Sequence, residues 1–295
     1  MGLFDTIFKS KKSSVDWEKA FAKTPAQVFA GDSAGIPEAP PLYAQNDLQE
    51  MAKRKDLNPL FYQRCGVLAQ YDIVMLLDDS GSMNSPTDTK NAQGDKNTRW
   101  TELQEFASDV VSVGVAMDAD GIDVHFLNRP SLLNVKSART LEETFRKLPK
   151  GLTPLPERLS QILQEYRARP KHKNLLLLIA TDGEPSGADG KRALKRLLEK
   201  RDFDREKVSI LACSDDDSEI GYLNEFDRDI QALDVVDDYK SEKREIRKMQ
   251  GSSYPFSRID HIFKCLLGSI DKWTDLLDER KLSAAQLKYA VYGDI

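Results

Sequence analysis

Cysteine is scarce in this chain: Cys65, Cys213 and Cys265 are the three among 295 residues. They are too few and too scattered for a disulfide framework or a clustered zinc site, which points to a reducing compartment and a cytoplasmic location. Long apolar runs are missing as well. None approaches the roughly 18 residues a membrane-spanning helix needs, and no secretory-type apolar segment opens the sequence. Histidine is equally rare, and His125, His172 and His261 share no metal-ligand spacing; each reads as structural or surface. No charge of one sign dominates: the formal net charge of -5 leaves no general footprint for nucleic acid. Phosphate-binding P-loops, Gly-x-Gly-x-x-Gly turns and Gly-x-Ser-x-Gly elbows do not occur.

What is present is a regular alternation. The composition, 40% hydrophobic and 31% charged, suits a globular protein with a sizeable core. Short apolar runs at Ile73 to Leu77, Asn174 to Ala180 and Val208 to Cys213 read as strands covered on both faces. Ile122 to Leu127 alternates as a further strand, and Val235 and Val236 begin a last one. Between them, Arg99 to Met117 places Leu103, Phe106, Val110, Val113 and Met117 at helical spacing. Leu141 to Leu148, Leu155 to Tyr166, Lys191 to Lys200, Glu219 to Leu233 and Tyr239 to Met249 read as helices, and Phe263 to Leu277 as one closing amphipathic helix. Asn84 to Asn97 is polar and reads as a surface loop. The alternation predicts a doubly wound α/β fold, a mostly parallel central sheet flanked by helices in three layers. The expected organisation is a flexible arm over 1–45, a helical lead-in over 46–65, the α/β domain over 66–270 and a helical extension over 271–295.

Chemistry concentrates where strands end. The run Met75-Leu76-Leu77-Asp78-Asp79-Ser80-Gly81-Ser82-Met83 leads an apolar strand into a carboxylate and two hydroxyls spaced two apart. Asp78, Ser80 and Ser82 are hard oxygen donors suited to Mg²⁺. Thr153 lies in the turn Gly151-Leu152-Thr153-Pro154, and Asp182 in Ala180-Thr181-Asp182-Gly183-Glu184, directly after the leucine-rich strand. A parallel sheet presents its carboxyl-end loops on one edge, so these five residues can converge. Two carboxylates and three hydroxyls surround a divalent cation without overwhelming its charge. The direction of the extra carboxylate, Asp79, is open at this point. Glu184, Asp215, Asp216 and Asp217 also fall near strand ends, where acidic residues are usually just solvated.

These three segments resemble the von Willebrand factor type A (vWA) family, which is related to integrin inserted domains. The Asp-x-Ser-x-Ser run at Asp78, Ser80 and Ser82 is similar to the family's metal-ion-dependent adhesion site. Thr153 matches the threonine of a later loop, and Asp182 the aspartate of the Thr-Asp-Gly segment. The resemblance spans roughly residues 66–270. It implies a bound Mg²⁺ or Mn²⁺ whose coordination is completed by a Glu or Asp of a partner protein. It further implies that Ser80 and Ser82 ligate directly, that Thr153 and Asp182 exchange direct and water-mediated roles, and that Asp78 often acts through water.

The expected activity is therefore binding rather than catalysis. A phosphatase with an aspartate nucleophile needs a second carboxylate two residues on, but Ser80 follows Asp78 and Gly81 follows Asp79 at that distance. A structural adaptor with metal-independent contacts is the main alternative, and a metal-assisted hydrolase a weaker one. The arm carries a separate idea. Met1-Gly2-Leu3-Phe4-Asp5-Thr6 meets the loose myristoylation pattern at Gly2, and Lys9, Lys11 and Lys12 follow. One acyl chain plus a basic patch holds a protein reversibly at an anionic membrane, whereas a plain disordered leader is the simpler account.

Overall fold

The computed structural model describes residues 50, 52–117, 120–169, 173–214 and 216–292. The expected arm over 1–45, with Gly2, Lys9, Lys11 and Lys12, lies outside the described residues, as do His172 and Asp215. The chain divides into two compact units. One runs from Asp72 to Asp238; the other combines the residues up to Tyr71 with those from Tyr239 on. Residues 239–270 thus group with the second unit rather than with the sheet.

Residues 52–55 are helical, and α1 (Pro59–Arg64) follows, with Asn58 capping its start by accepting the Leu60 N–H at 3.0 Å. Pro59 occupies the first helical position, where a missing N–H costs nothing. A 3₁₀ turn then leads into β1 (Tyr71–Leu77). A second 3₁₀ turn (Gly81–Asn84) carries Ser82 and leads to a two-stranded antiparallel ribbon of β2 (Pro86–Lys90) and β3 (Lys96–Thr98). This ribbon corrects the loop expected over Asn84 to Asn97. Its residues alternate between exposed and half-buried and carry no apolar face, so a hydrophobic pattern could not announce it. Glu102 holds it instead, accepting from the hydroxyls of Thr87 (2.8 Å) and Thr89.

Helix α2 (Arg99–Met117) matches its expected limits. Gly114 sits in its interior because a side chain there has no room: a Cβ would lie 2.8 Å from Ile122 Cγ2. Then come β4 (Ile122–Phe126), the edge strand β5 (Leu132–Val135), α3 (Arg139–Phe145), α4 (Leu155–Ala168) and β6 (Asn174–Thr181). α5 (Gly190–Glu199), β7 (Glu206–Ala212), α6 (Asp217–Asp229) and β8 (Leu233–Val236) complete the α/β unit. The sheet order is β5-β4-β1-β6-β7-β8. β1 and β4, β6 and β7, and β7 and β8 pair in parallel, while β5 runs antiparallel to β4. The fold is thus the expected mostly parallel α/β sheet flanked by helices.

β6 shows why. Leu175, Leu177 and Ile179 join Leu159 and Ile162 of α4, Leu194 of α5 and Phe226 of α6 in one apolar core. Leu176 and Leu178, pointing the other way, are equally buried. Burying a leucine contributes roughly 1.5–3 kcal/mol, so this one strand anchors the unit.

The second unit continues through α7 (Tyr239–Gln250), α8 (Arg258–Leu267), α9 (Lys272–Glu279) and α10 (Ala284–Tyr292). The single helix expected over Phe263 to Leu277 is two. α8 stops at Gly268, and Asp271 starts α9 by accepting the N–H groups of Trp273 and Thr274, each at 3.1 Å. Among the described residues, no helix is long and apolar enough to cross a membrane.

Candidate metal centre

The sheet order places an opening at β1. From β1 the chain goes first to β4 on one side and later to β6 on the other, so the strand order reverses between β1 and β6. Loops leaving the carboxyl ends of two such strands diverge, and the crevice between them is where open α/β sheets bind ligands. Asp78 follows β1 and Asp182 follows β6. The two ends stay joined by the Asp78 N–H, which donates to the Ala180 carbonyl at 2.9 Å.

Across this crevice runs a hydrogen-bonded row. Asp78 Oδ1 accepts the Ser80 N–H at 2.8 Å, a tight turn that brings the serine back over the strand end. Asp78 Oδ2 accepts the Thr181 hydroxyl at 2.7 Å. The Ser80 and Ser82 hydroxyl oxygens lie 3.0 Å apart, and Ser82 Oγ donates to Asp182 Oδ1 at 2.8 Å. Ser82 has one proton and gives it to Asp182, so Ser80 donates to Ser82. Each hydroxyl oxygen keeps a lone pair for a cation. Asp78, Ser80 and Asp182 are buried. Burial pushes the Asp78 carboxyl up to about 6 against the pull of its donors, and the neighbouring Asp182 charge adds to the rise. Two buried carboxylates so close together are a place where positive charge is favoured.

Thr153 is brought to the same edge by its backbone. Its N–H donates to Ser186 Oγ at 2.8 Å and its carbonyl accepts the Ser186 N–H at 2.9 Å, tying it to the loop that follows Asp182. Two residues earlier, the Gly151 carbonyl accepts the Gly81 N–H at 3.2 Å, tying it to the serine loop. The Thr153 hydroxyl is not part of the row. Gly151 must be glycine: its φ is +115°, and a Cβ would sit 2.5 Å from Asn128 Oδ1.

Asp79 turns away from the row. Its Oδ1 accepts the Asn128 N–H (2.8 Å) and side-chain amide (3.1 Å). Its Oδ2 lies 3.1 Å from Arg129 Nε, an ion pair without the alignment of a hydrogen bond. Burial raises the Asp79 carboxyl, opposed by Asn128 and Arg129. Its carbonyl accepts the Lys150 N–H at 2.8 Å, and Arg129 also donates to the Thr144 and Leu148 carbonyls. Asp79 therefore clamps the loop that carries Thr153. On that loop Leu148 and Leu152 face solvent.

One residue at the site has no signal in the sequence pattern. Arg99, the first residue of α2, donates from Nη1 to Asp182 Oδ2 at 2.9 Å. Its Nη2 reaches both Ser214 Oγ and Glu219 Oε2 at 2.8 Å. Burial pulls the guanidinium down, but the bonds and charges of Asp182 and Glu219 outweigh it and hold it above its ordinary value. Nothing local marks Arg99, because its partners lie far along the chain.

Other candidates fall into structural roles. Glu184 pairs with Lys191, and Asp216 caps α6 through the Ser218 N–H at 2.9 Å. His125 is buried with Nδ1 at 2.8 Å from Ser131 Oγ, and burial lowers its basicity. His261 sits edge-on to Tyr239 and Phe256. Cys65 and Cys265 are buried and Cys213 is partly exposed; none of the three is in a disulfide. Among the described residues, no group of three or more His, Cys, Asp or Glu side chains is placed to hold a metal. The row described above offers two carboxylates and draws its remaining donors from hydroxyls.

No family model matches the chain, and no curated protein matches it either. Among solved structures, a similarity is found to the crystal structure of an uncharacterized membrane spanning protein from Vibrio fischeri. The two are 18% identical over 48% of this chain and 70% of that one, with a TM-score of 0.23. A superposition that loose says nothing about this chain's fold or function.

Proposed function

We propose that this protein is a divalent-cation-dependent binding module that recognises an acidic residue of a partner protein, as its resemblance to the vWA family implies. The residues that would hold Mg²⁺ or Mn²⁺ are Asp78, Ser80, Ser82, Thr153 and Asp182. The observation that carries the reading is the continuous row Asp78–Ser80–Ser82–Asp182 at the strand-order reversal of the sheet. Oxygen donors of this kind, two charged and the rest neutral, suit a hard cation. When bound, such an ion would attract an external carboxylate, because the two aspartates offset its charge without exceeding it.

The protein's own residues supply the rest. Ser80 and Ser82 present neutral oxygens, so the site does not become over-negative. Asp79, Asn128 and Arg129 fix the backbone of the loop bearing Thr153, so the site is preorganised rather than assembled on binding. On this reading the row binds a ligand through the ion rather than transforming it. Three cysteines outside any disulfide fit a reducing, cytoplasmic setting, and acylation of Gly2 with the basic patch Lys9, Lys11 and Lys12 would add contact with a membrane surface.

Calorimetric titration with Mg²⁺ and Mn²⁺ tests the reading. Saturable binding is expected for the folded wild-type protein and is lost in Asp78→Ala and Asp182→Ala. Partner capture that is unchanged by EDTA and by both substitutions would instead support the metal-independent adaptor. Mass measurement of the mature amino terminus tests the acylation separately; an unmodified Gly2 rules it out.

A further inference from the structure

Asp182 is shared between two kinds of neighbour. Oδ1 accepts from Ser82 within the row, while Oδ2 is taken by the Arg99 guanidinium in an ion pair of 2.9 Å. Arg99 is only slightly exposed, its side chain at 13%, so its charge is felt at the row with little screening by water. The other end of the same guanidinium is held at 2.8 Å by Glu219 of α6. Ser214 Oγ binds both groups, accepting from Arg99 and donating to Glu219 Oε2 at 2.6 Å. Arg99 therefore bridges a carboxylate of the candidate metal site and a carboxylate outside it. A planar guanidinium with donors on both edges can do this; a lysine ammonium, a point charge, cannot span both with the same geometry.

Resting on the metal reading above, we propose that Arg99 is a built-in counter-cation that competes with the divalent ion for Asp182, with Glu219 as its alternative acceptor. The affinity of the site is then set by how the guanidinium is divided between the two carboxylates. In the metal-free protein Arg99 neutralises Asp182 and keeps the row ordered. With a divalent ion at the row, two cations stand against one carboxylate, and Glu219 offers the guanidinium a place to shift its charge. Helix α6, which carries Glu219, thereby becomes coupled to metal occupancy. Any contact that engages Glu219 from outside would push Arg99 back toward Asp182 and weaken the ion's hold.

The prediction has opposite signs at the two ends of the bridge. Arg99→Gln removes the competing charge and should tighten Mg²⁺ binding by about tenfold, since a unit charge this close to a partly buried ion is only partly screened. Glu219→Gln removes the alternative acceptor and should weaken binding by about threefold on the same reasoning. Arg99→Lys keeps the charge and should return affinity toward the wild-type value. A second readout is the rise in thermal midpoint on exchanging EDTA for Mg²⁺, which should be larger in Arg99→Gln than in wild type. A merely structural role predicts weaker binding in both Arg99→Gln and Glu219→Gln, and cannot give opposite signs. If the wild-type protein binds Mg²⁺ and folded Arg99→Gln binds it no more tightly, the competition is refuted and the metal reading stands. Should Arg99→Gln fail to fold, Arg99→Met takes its place with the same tightening expected, and unchanged or tighter binding in Glu219→Gln refutes the competition by itself. Absence of Mg²⁺ binding by folded wild-type protein overturns both.

Discussion

Two buried polar networks, one in each unit, are built in different ways. In the helical unit, buried polar groups pair with one another and with helix ends. Arg64 meets Asp271 through Nε at 2.7 Å and Nη2 at 2.5 Å, and the same Asp271 caps α9. Lys264, fully buried, lies 3.1 Å from Asp278. Gln250 donates to the Leu277 and Arg280 carbonyls and accepts the Leu282 N–H. Asp260 accepts from the Asn58 N–H and from both the N–H and hydroxyl of Ser257. These groups end helices and join them. In the α/β unit, the row at the sheet edge keeps hydroxyl lone pairs to spare and concentrates two carboxylates against a single guanidinium. A closed network stabilises its own unit; an open one is arranged to receive something.

The comparison predicts that substitutions in the two networks behave differently, and the largest effect belongs to the helical unit. Asp271→Ala leaves Arg64 buried without its carboxylate and uncaps α9, and should cost about 3–5 kcal/mol in chemical denaturation. A loss below about 1 kcal/mol, the range of exposed ion pairs, would break the contrast. Asp260 gives the next effect, through pH. Burial raises its carboxyl from 3.8 to about 7 despite its donors. The folded state then binds a proton that the unfolded state has released, so this group's contribution is fully present below pH 3.8 and is lost as pH rises to 7. Stability followed by denaturation should carry a downward component across that window. Asp260→Asn should remove it: the variant should be less stable than wild type by about 1–3 kcal/mol below pH 3.8, where an amide faces the Ser257 donors, and the deficit should shrink as pH rises toward 7.

Gly151→Ala tests the loop that carries Thr153. A left-handed φ and the close Asn128 side chain should make it cost about 1–3 kcal/mol and displace the loop bearing Thr153. The smallest stability change is expected within the row itself. Asp78→Asn retains an acceptor for the Ser80 N–H, and its amide can donate to Thr181, whose hydroxyl can turn toward the Gly183 carbonyl. Metal-free stability should stay within about 1 kcal/mol of wild type. A loss as large as that of Asp271→Ala would mean that the row is structural after all.

Legibility in the sequence follows the range of the interactions involved. β1, β6, β7 and α2 were readable because burial on a sheet or helix face imprints a local pattern. The β2–β3 ribbon and the edge strand β5 were not: polar contacts hold the ribbon, and β5 fully buries only Val135, so neither carries an apolar alternation. The break between α8 and α9 depends on the cap at Asp271, which a pattern of apolar residues passes over. At the candidate site, Asp78, Ser80, Ser82 and Asp182 stood out because each sits beside an apolar strand. The direction of Asp79 was decided by Asn128 and Arg129, and the hold on Thr153 by Ser186, none of which is near in sequence. Arg99 belongs to the same class: its identity as a site residue exists only in three dimensions.

The most direct test of the central claim is a Mn²⁺ titration followed by electron paramagnetic resonance, in which free ion is seen and bound ion disappears from the signal. Folded wild-type protein is predicted to take up one Mn²⁺ per chain, and folded Asp182→Ala to take up none. Full free-ion signal in the presence of excess wild-type protein would contradict the account.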